Sequence, residues 1–353
     1  MATFLFFLPF LLIFVVFAVY AERKISAFIQ SRLGPMEVGP IGLFQTVADL
    51  LKMLQKEDIV PAASDKHLFR FAPILIFLAV FGGFAILPLT DGVAGAALSS
   101  GVFFLLAIVS LDVVGVLMAG WASNNKYSLY GAMRSVAQII SYEIPLGLSV
   151  LAVVMTAQSL DLQVISSNQG LQSNETIYFL GLSNMGLDVS QIGGFTSWYI
   201  FQNPFLLLVF VIFFISGLAE ANRAPFDLPE SESEIVGGFH TEYSGFRWGI
   251  IMLAEYGMML LVSLLAAILF FGGWNSPLPN IGMLRLADWT NGMIWGIFWL
   301  IGKALFFIFV QMWIRWTFPR LRVDQLMTLS WKYLTPASLV LVFICGIWRL
   351  LMI

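Results

Sequence analysis

The chain has 353 residues, of which only 11% are charged and 59% are hydrophobic, with a net charge of −3 and a mean hydropathy of +0.88. This composition lies far outside that of soluble globular domains and marks an integral membrane protein. The basic residues form no dense cluster that could neutralise a run of phosphates, so nucleic-acid binding is excluded.

One cysteine, Cys345, permits no internal disulfide and no iron–sulfur cluster. The two histidines, His67 and His240, lie in polar segments and not in the apolar runs that a transmembrane haem would need. The sequence therefore predicts a chain that binds no metal and no cofactor of its own.

A membrane-crossing helix needs about 20 mostly apolar residues, because a backbone in hydrocarbon must satisfy its own hydrogen bonds. Eight such runs predict an all-α membrane protein forming one domain, with spans at about 2–21, 71–90, 101–121, 136–156, 199–219, 248–271, 293–314 and 334–352. The first run has its charges, Glu22, Arg23 and Lys24, after the apolar stretch, so it reads as a retained helix and not as a signal peptide.

Between the first two spans, residues 42–56 place Leu43, Phe44, Val47, Leu50, Leu51 and Leu54 on one helical face. Gln45, Asp49, Lys52 and Lys56 take the other. Such a helix lies along the membrane interface, and its polar face with Asp49 either meets solvent or walls a cavity.

Four ionisable groups fall within or near the ends of spans: Asp112, Glu143, Glu255 and Lys303. A charge at a helix centre costs roughly 2.5–3.5 kcal/mol on insertion scales, so each should face a partner or a wet cavity. Asp112 and Lys303 read equally as helix-bridging or functional groups. Pro145, two residues beyond Glu143, frees a backbone carbonyl one turn earlier and opens room for water beside the carboxylate. Asn203-Pro204 marks a kink or a late helix start.

Residues 157–198 contain no Lys or Arg and read as a translocated loop, in which Asn174-Glu175-Thr176 is a three-residue pattern without weight. Residues 220–247 hold Glu220, Asp227, Glu230, Glu232, Glu234 and Glu242. Asp227-x-x-Glu230 has the form of a capping box and Pro229 suits a first turn, so a short helix should start near 228 and stop at Gly237-Gly238. Capping accounts for only some of these acids. Two carboxylates about 6 Å apart at an effective dielectric of about 20 repel by roughly 2.8 kcal/mol, or about two pK units. A buried set would hold shared protons, whereas a solvated set would be screened.

Lys and Arg set the orientation. They crowd the loops after spans 1, 3, 5 and 7, while the opposite loops hold only Arg285, so both termini are expected outside and the acidic segment inside. The pattern fits a bacterial inner membrane.

Four stretches, at 21–61, 120–143, 219–245 and 313–336, together resemble the inner-side motifs of one membrane-subunit family, the H subunits of proton-pumping NADH:quinone oxidoreductase, respiratory complex I. They include "GWASNNKYSLYGAMRS" and "AEANRAPFDLPESESEIVGGFHTEYSG". The resemblance implies an eight-helix subunit that helps form the quinone chamber. Its partners would be the hydrophilic redox-arm subunit with the terminal iron–sulfur cluster, small membrane-arm subunits and antiporter-like subunits. Flavin and iron–sulfur clusters would sit in those partners, with quinone as the substrate.

The same resemblance assigns Glu143, Glu220, Asp227, Glu230, Glu232, Glu234, Glu242 and Glu255 to proton coupling. It places Arg23, Arg32, Asp49, Arg223 and Arg315 at the quinone chamber. Asp112 and Lys303 have no place in that pattern. The alternatives are the equivalent subunit of a hydrogenase or ferredoxin-fed complex, and a free-standing ion transporter, against which the absence of an internal repeat argues.

Overall fold

A computed structural model describes residues 2–96, 98–171, 173, 178–181, 189–190, 192–228, 235–281 and 284–352. These form a helical bundle with two small hairpins as the described sheet: β1 (Pro88–Thr90) with β2 (Val93–Ala94), and β3 (Asn280–Ile281) with β4 (Leu284–Arg285), both antiparallel. The helices are α1 (Ala2–Ile29), α2 (Gln45–Gln55), α3 (Lys66–Phe84), α4 (Gly101–Val109), α5 (Leu111–Ala122), α6 (Lys126–Ala157) and α7 (Leu162–Ser167). They continue as α8 (Tyr199–Gln202), α9 (Leu206–Glu220), α10 (Gly245–Phe270), α11 (Leu286–Trp289), α12 (Met293–Thr317), α13 (Val323–Thr328) and α14 (Thr335–Met352).

Among the described residues, six helical segments are long and apolar enough to cross a membrane, and Leu206–Glu220 is a shorter apolar helix. Helix starts follow local chemistry. Asp65 accepts from the backbone N–H groups of His67 and Leu68 to cap α3, and Asn125 accepts from that of Tyr127 to cap α6. Asn203-Pro204 ends α8 and gives the late start of α9 at Leu206, where the Asn203 side chain accepts from the Phe205 N–H.

The centre of the bundle is α10. Every residue from Tyr256 to Phe270 is buried, and the apolar window of this helix is 89% enclosed by protein against 28% for that of α12. Two glycines allow neighbours to come close: a Cβ on Gly83 of α3 would lie 2.4 Å from Leu261, and one on Gly217 of α9 would lie 2.4 Å from Val262. A helix apolar on all sides is buried by the others, and here its neighbours supply the small residues that close the gap.

The expectation that Pro145 opens a wet gap is corrected. Helix α6 runs unbroken through it, and the carbonyl that Pro145 leaves without a donor, that of Ser141, accepts from the Ser330 hydroxyl at 2.5 Å. Ser330 lies in a π-helical turn, Leu329–Leu334, that joins α13 to α14. The same device recurs in α3. Pro73 frees the Phe69 carbonyl, which accepts from the Tyr243 hydroxyl at 3.2 Å while the two rings stack at 4.1 Å.

Lys303 of α12 is a bridge between elements. Its Nζ donates to the carbonyls of Phe271, Gly273 and Asn275 at 2.7, 2.9 and 2.7 Å, and it lies 4.6 Å from the Trp198 ring centroid. Its three acceptors lie in the segment that follows α10, so it ties α12 to the loop beyond the C-terminal end of that helix.

Candidate functional site: a buried network of carboxylates and guanidiniums

The end of α1, the segment after α9, the first half of α10 and the end of α12 converge on one point. Glu22 of α1 accepts from Arg223 Nη1 at 3.1 Å through Oε2 and at 3.3 Å through Oε1. It also accepts from the Tyr256 hydroxyl at 2.6 Å and from Arg315 of α12. Arg223 Nε lies 3.0 Å from Glu255 Oε1 in a second ion pair, and its guanidinium stacks 4.1 Å above the Tyr256 ring.

Two carboxylates thus balance two guanidiniums. Arg223 is only 3% exposed, and burial opposes its charge, but Glu255 and Glu22 more than offset this and hold its pKa well above the usual arginine value. Removing one member of such a set costs about 3–5 kcal/mol, because the remaining charges stay buried.

Asp227 stands beside this group. It is buried and pairs through Oδ2 with Arg320 Nη2 at 2.9 Å. Burial raises its pKa to about 6, with Glu255 adding to the shift and Arg320 opposing it. His240, also outside the spans, is lowered by burial, and the charge of Glu255 works against that shift.

Helix α2 settles which way its polar face turns. Asp49 accepts from Arg23 of α1 at 2.6 Å and from Gln45 at 3.2 Å. Leu50, Leu51 and Leu54 are exposed. The Gln45–Asp49 edge of the polar face is therefore turned to the bundle, while Lys52 and Lys56 are exposed along with the apolar face.

Of the other sequence-derived site residues, Glu220 is buried at the end of α9 and lines a cavity with Asn222 and Glu255. Glu143 of α6 is half-buried and acts electrostatically on Glu220. Glu242 accepts from Asn125 at 2.6 Å. Arg32 is exposed, and no side-chain hydrogen bond or ion pair joins it to the network among the described residues. Glu230, Glu232 and Glu234 lie outside the described residues, as do most of the expected capped helix and the Asn174-Glu175-Thr176 pattern. The described continuation is a 3-10 turn at Gly238–His240.

The sequence reading missed three participants. Glu22 counts there only as a charge flanking the first apolar run and Arg320 only among the orienting cations, while Tyr256, inside an apolar run, is not singled out at all. A glutamate directly after a span and ahead of Arg23 was the available signal for the first; Arg320 and Tyr256 gave none. Among the described residues, no group of three or more His, Cys, Asp or Glu side chains is placed to hold a metal ion.

An all-α bundle of apolar helices with ionisable groups gathered at one end defines an integral membrane protein built to hold charge under low-dielectric conditions. The family profile described as NADH dehydrogenase matches residues 1–346. The chain is 58% identical over 356 residues to the second H subunit of NADH-quinone oxidoreductase from Cytophaga hutchinsonii, covering 98% of this chain and 97% of that one. It is 54% identical to the H subunit of the same enzyme from Chlorobaculum parvum, over 94% of this chain and 87% of that one. It is 45% identical to the H subunit from Bacteroides fragilis, over 93% and 84%. The chain belongs to this family, the H subunits of NADH-quinone oxidoreductase.

Proposed function

We propose that the chain is the membrane subunit of a proton-translocating NADH:quinone oxidoreductase that helps wall the quinone chamber and passes the charge of quinone reduction to a chain of carboxylates. The observation that carries this reading is the meeting of Glu22, Arg223, Glu255 and Arg315 at one end of the bundle. A new charge about 6 Å from such a set, at an effective dielectric of about 20, is worth roughly 2.8 kcal/mol, enough to move protons among its members.

In this reading Arg23, Arg32, Asp49, Arg223 and Arg315 serve the chamber side. Glu143, Glu220, Asp227, Glu230, Glu232, Glu234, Glu242 and Glu255 serve proton coupling. The chain itself binds no flavin and no iron–sulfur cluster; electrons come from the redox-arm subunit that bears the terminal cluster, and charge leaves toward small membrane-arm and antiporter-like subunits. In the same reading the chain crosses eight times, counting α1 and the pair α8 and α9, so both termini share one side, and the Lys and Arg bias of the loops makes that the periplasmic side of a bacterial inner membrane. The relatives are named for NADH-quinone oxidoreductase, which favours NADH as the complex's donor over a hydrogenase or ferredoxin-fed assembly.

The test is Glu143→Gln and Glu220→Gln in the intact complex. Each should lower proton-coupled quinone reduction by about fivefold or more, the lower end of coupling between linked sites. Electron transfer from NADH to an artificial acceptor should persist. Full coupled turnover in both variants would remove these carboxylates from the mechanism.

A further inference from the structure

Asp112 has no part in the network around Glu22 and Arg223. It lies near the start of α5, 7% exposed, and its Oδ1 is buried with no hydrogen-bond partner among the described residues. The side chain lines the same cavity as Glu220, Asn222 and Glu255, between apolar groups such as Ile76 and Met258. The space open to water centres is about 30 Å³, where a single water needs about 10–15 Å³. The cavity that both carboxyl groups line therefore has room for about two waters.

The cations of the network are already engaged elsewhere. Arg223 holds Glu22 and Glu255, Arg320 holds Asp227, and Arg23 holds Asp49. The carboxyl of Asp112 is near enough to act electrostatically on Glu220, after the larger contribution of Glu143. An ionised carboxylate left without cation or donor in such a place carries a desolvation cost of several kcal/mol. A proton shared with a neighbouring carboxyl through water lowers that cost: it cuts the buried charge of the pair from two to one and gives the remaining carboxylate a donor.

We propose that Asp112 and Glu220 hold one exchangeable proton between them across this cavity, making Asp112 an additional proton-carrying residue of the protein. The inference rests on the proposed coupling role of Glu220. In the exchange, the O–H bond of one carboxyl breaks as that of the other forms, through the intervening water. The pair keeps one proton and one negative charge throughout, so the step moves charge across the cavity without an added reactant.

The experiment compares Asp112→Asn, Asp112→Glu and Glu220→Gln in the intact membrane-bound complex. It measures proton translocation with quinone, electron transfer to an artificial acceptor, and the protonated-carboxyl stretch in infrared difference spectra between oxidised and reduced states. Asp112→Asn should lower proton translocation by about fivefold or more, delete one protonated-carboxyl band and leave the acceptor reaction unchanged, while Asp112→Glu restores translocation. Full translocation in Asp112→Asn with loss in Glu220→Gln would overturn the role of Asp112 and leave the coupling reading standing. Full translocation in both would overturn both. If Asp112→Asn fails to assemble, Asp112→Glu decides: a shifted carboxyl band supports the proposal, and an unshifted one overturns it.

Discussion

Asp227 shows how a single side chain can carry a pH dependence. Its folded pKa, raised to about 6 mainly by burial, lies above the ordinary value of 3.8. The folded state therefore binds more protons than the unfolded state between about pH 4 and 6, and stability is lost as pH rises through that window. The loss is on the order of 2–3 kcal/mol at most, since each pK unit is worth about 1.4 kcal/mol. Asp227→Asn should flatten this portion of the thermal-stability profile of the assembled complex, while Arg320→Ala should move it to higher pH. A slope unaltered by Asp227→Asn would assign the titration to another group.

Residue identity was partly readable before the fold. The apolar runs and the family resemblance singled out Arg223, Arg315 and Glu255, but not that all three meet around Glu22. That contact spans separations of 201 and 293 residues, and no local pattern encodes a pairing of that range. Asp49 was readable as the polar side of an amphipathic helix. Whether that side faced solvent or protein depended on Arg23, which lies in a different helix.

At the level of elements, the prolines carry the lesson. Sequence states that Pro145 deprives the Ser141 carbonyl of its helical donor, since that follows from covalent structure. It cannot state that Ser330, 189 residues away, supplies the replacement. The bond joins α6 to the π-helical turn before α14, and the Trp331 indole N–H adds a second link to the Ser141 hydroxyl at 3.2 Å. Ser330→Ala should destabilise the assembled complex by about 1–3 kcal/mol, the cost of an unsatisfied buried acceptor. In a Pro145→Ala background, where residue 145 again has an N–H to give, the same change should cost less. A double-mutant cycle on thermal unfolding reads the difference, and strict additivity would show that the two sites act independently.

Across the whole molecule, α10 links the charge network met by its first half to the loop that Lys303 holds beyond its C-terminal end. Lys303→Met keeps most of the side-chain stem but strips the donors from three carbonyls, so it should lower the stability of the complex by at least about 2 kcal/mol. Proton translocation per electron in the complex that survives should stay at the parent value, because Lys303 holds the loop beyond the C-terminal end of α10, away from the network. A changed ratio would connect this end of the bundle to coupling.

The enclosure of α10 bears on how the protein meets its bilayer. Its 26 residues extend about 39 Å at 1.5 Å each, longer than a hydrocarbon layer of about 30 Å. A lipid-facing helix of that length would have to tilt or strain the bilayer as its thickness changes. Protein surrounds the Tyr256–Phe270 stretch of this one, so mismatch should fall on the outer helices α12 and α14 more than on the packing of α10 that positions Glu255.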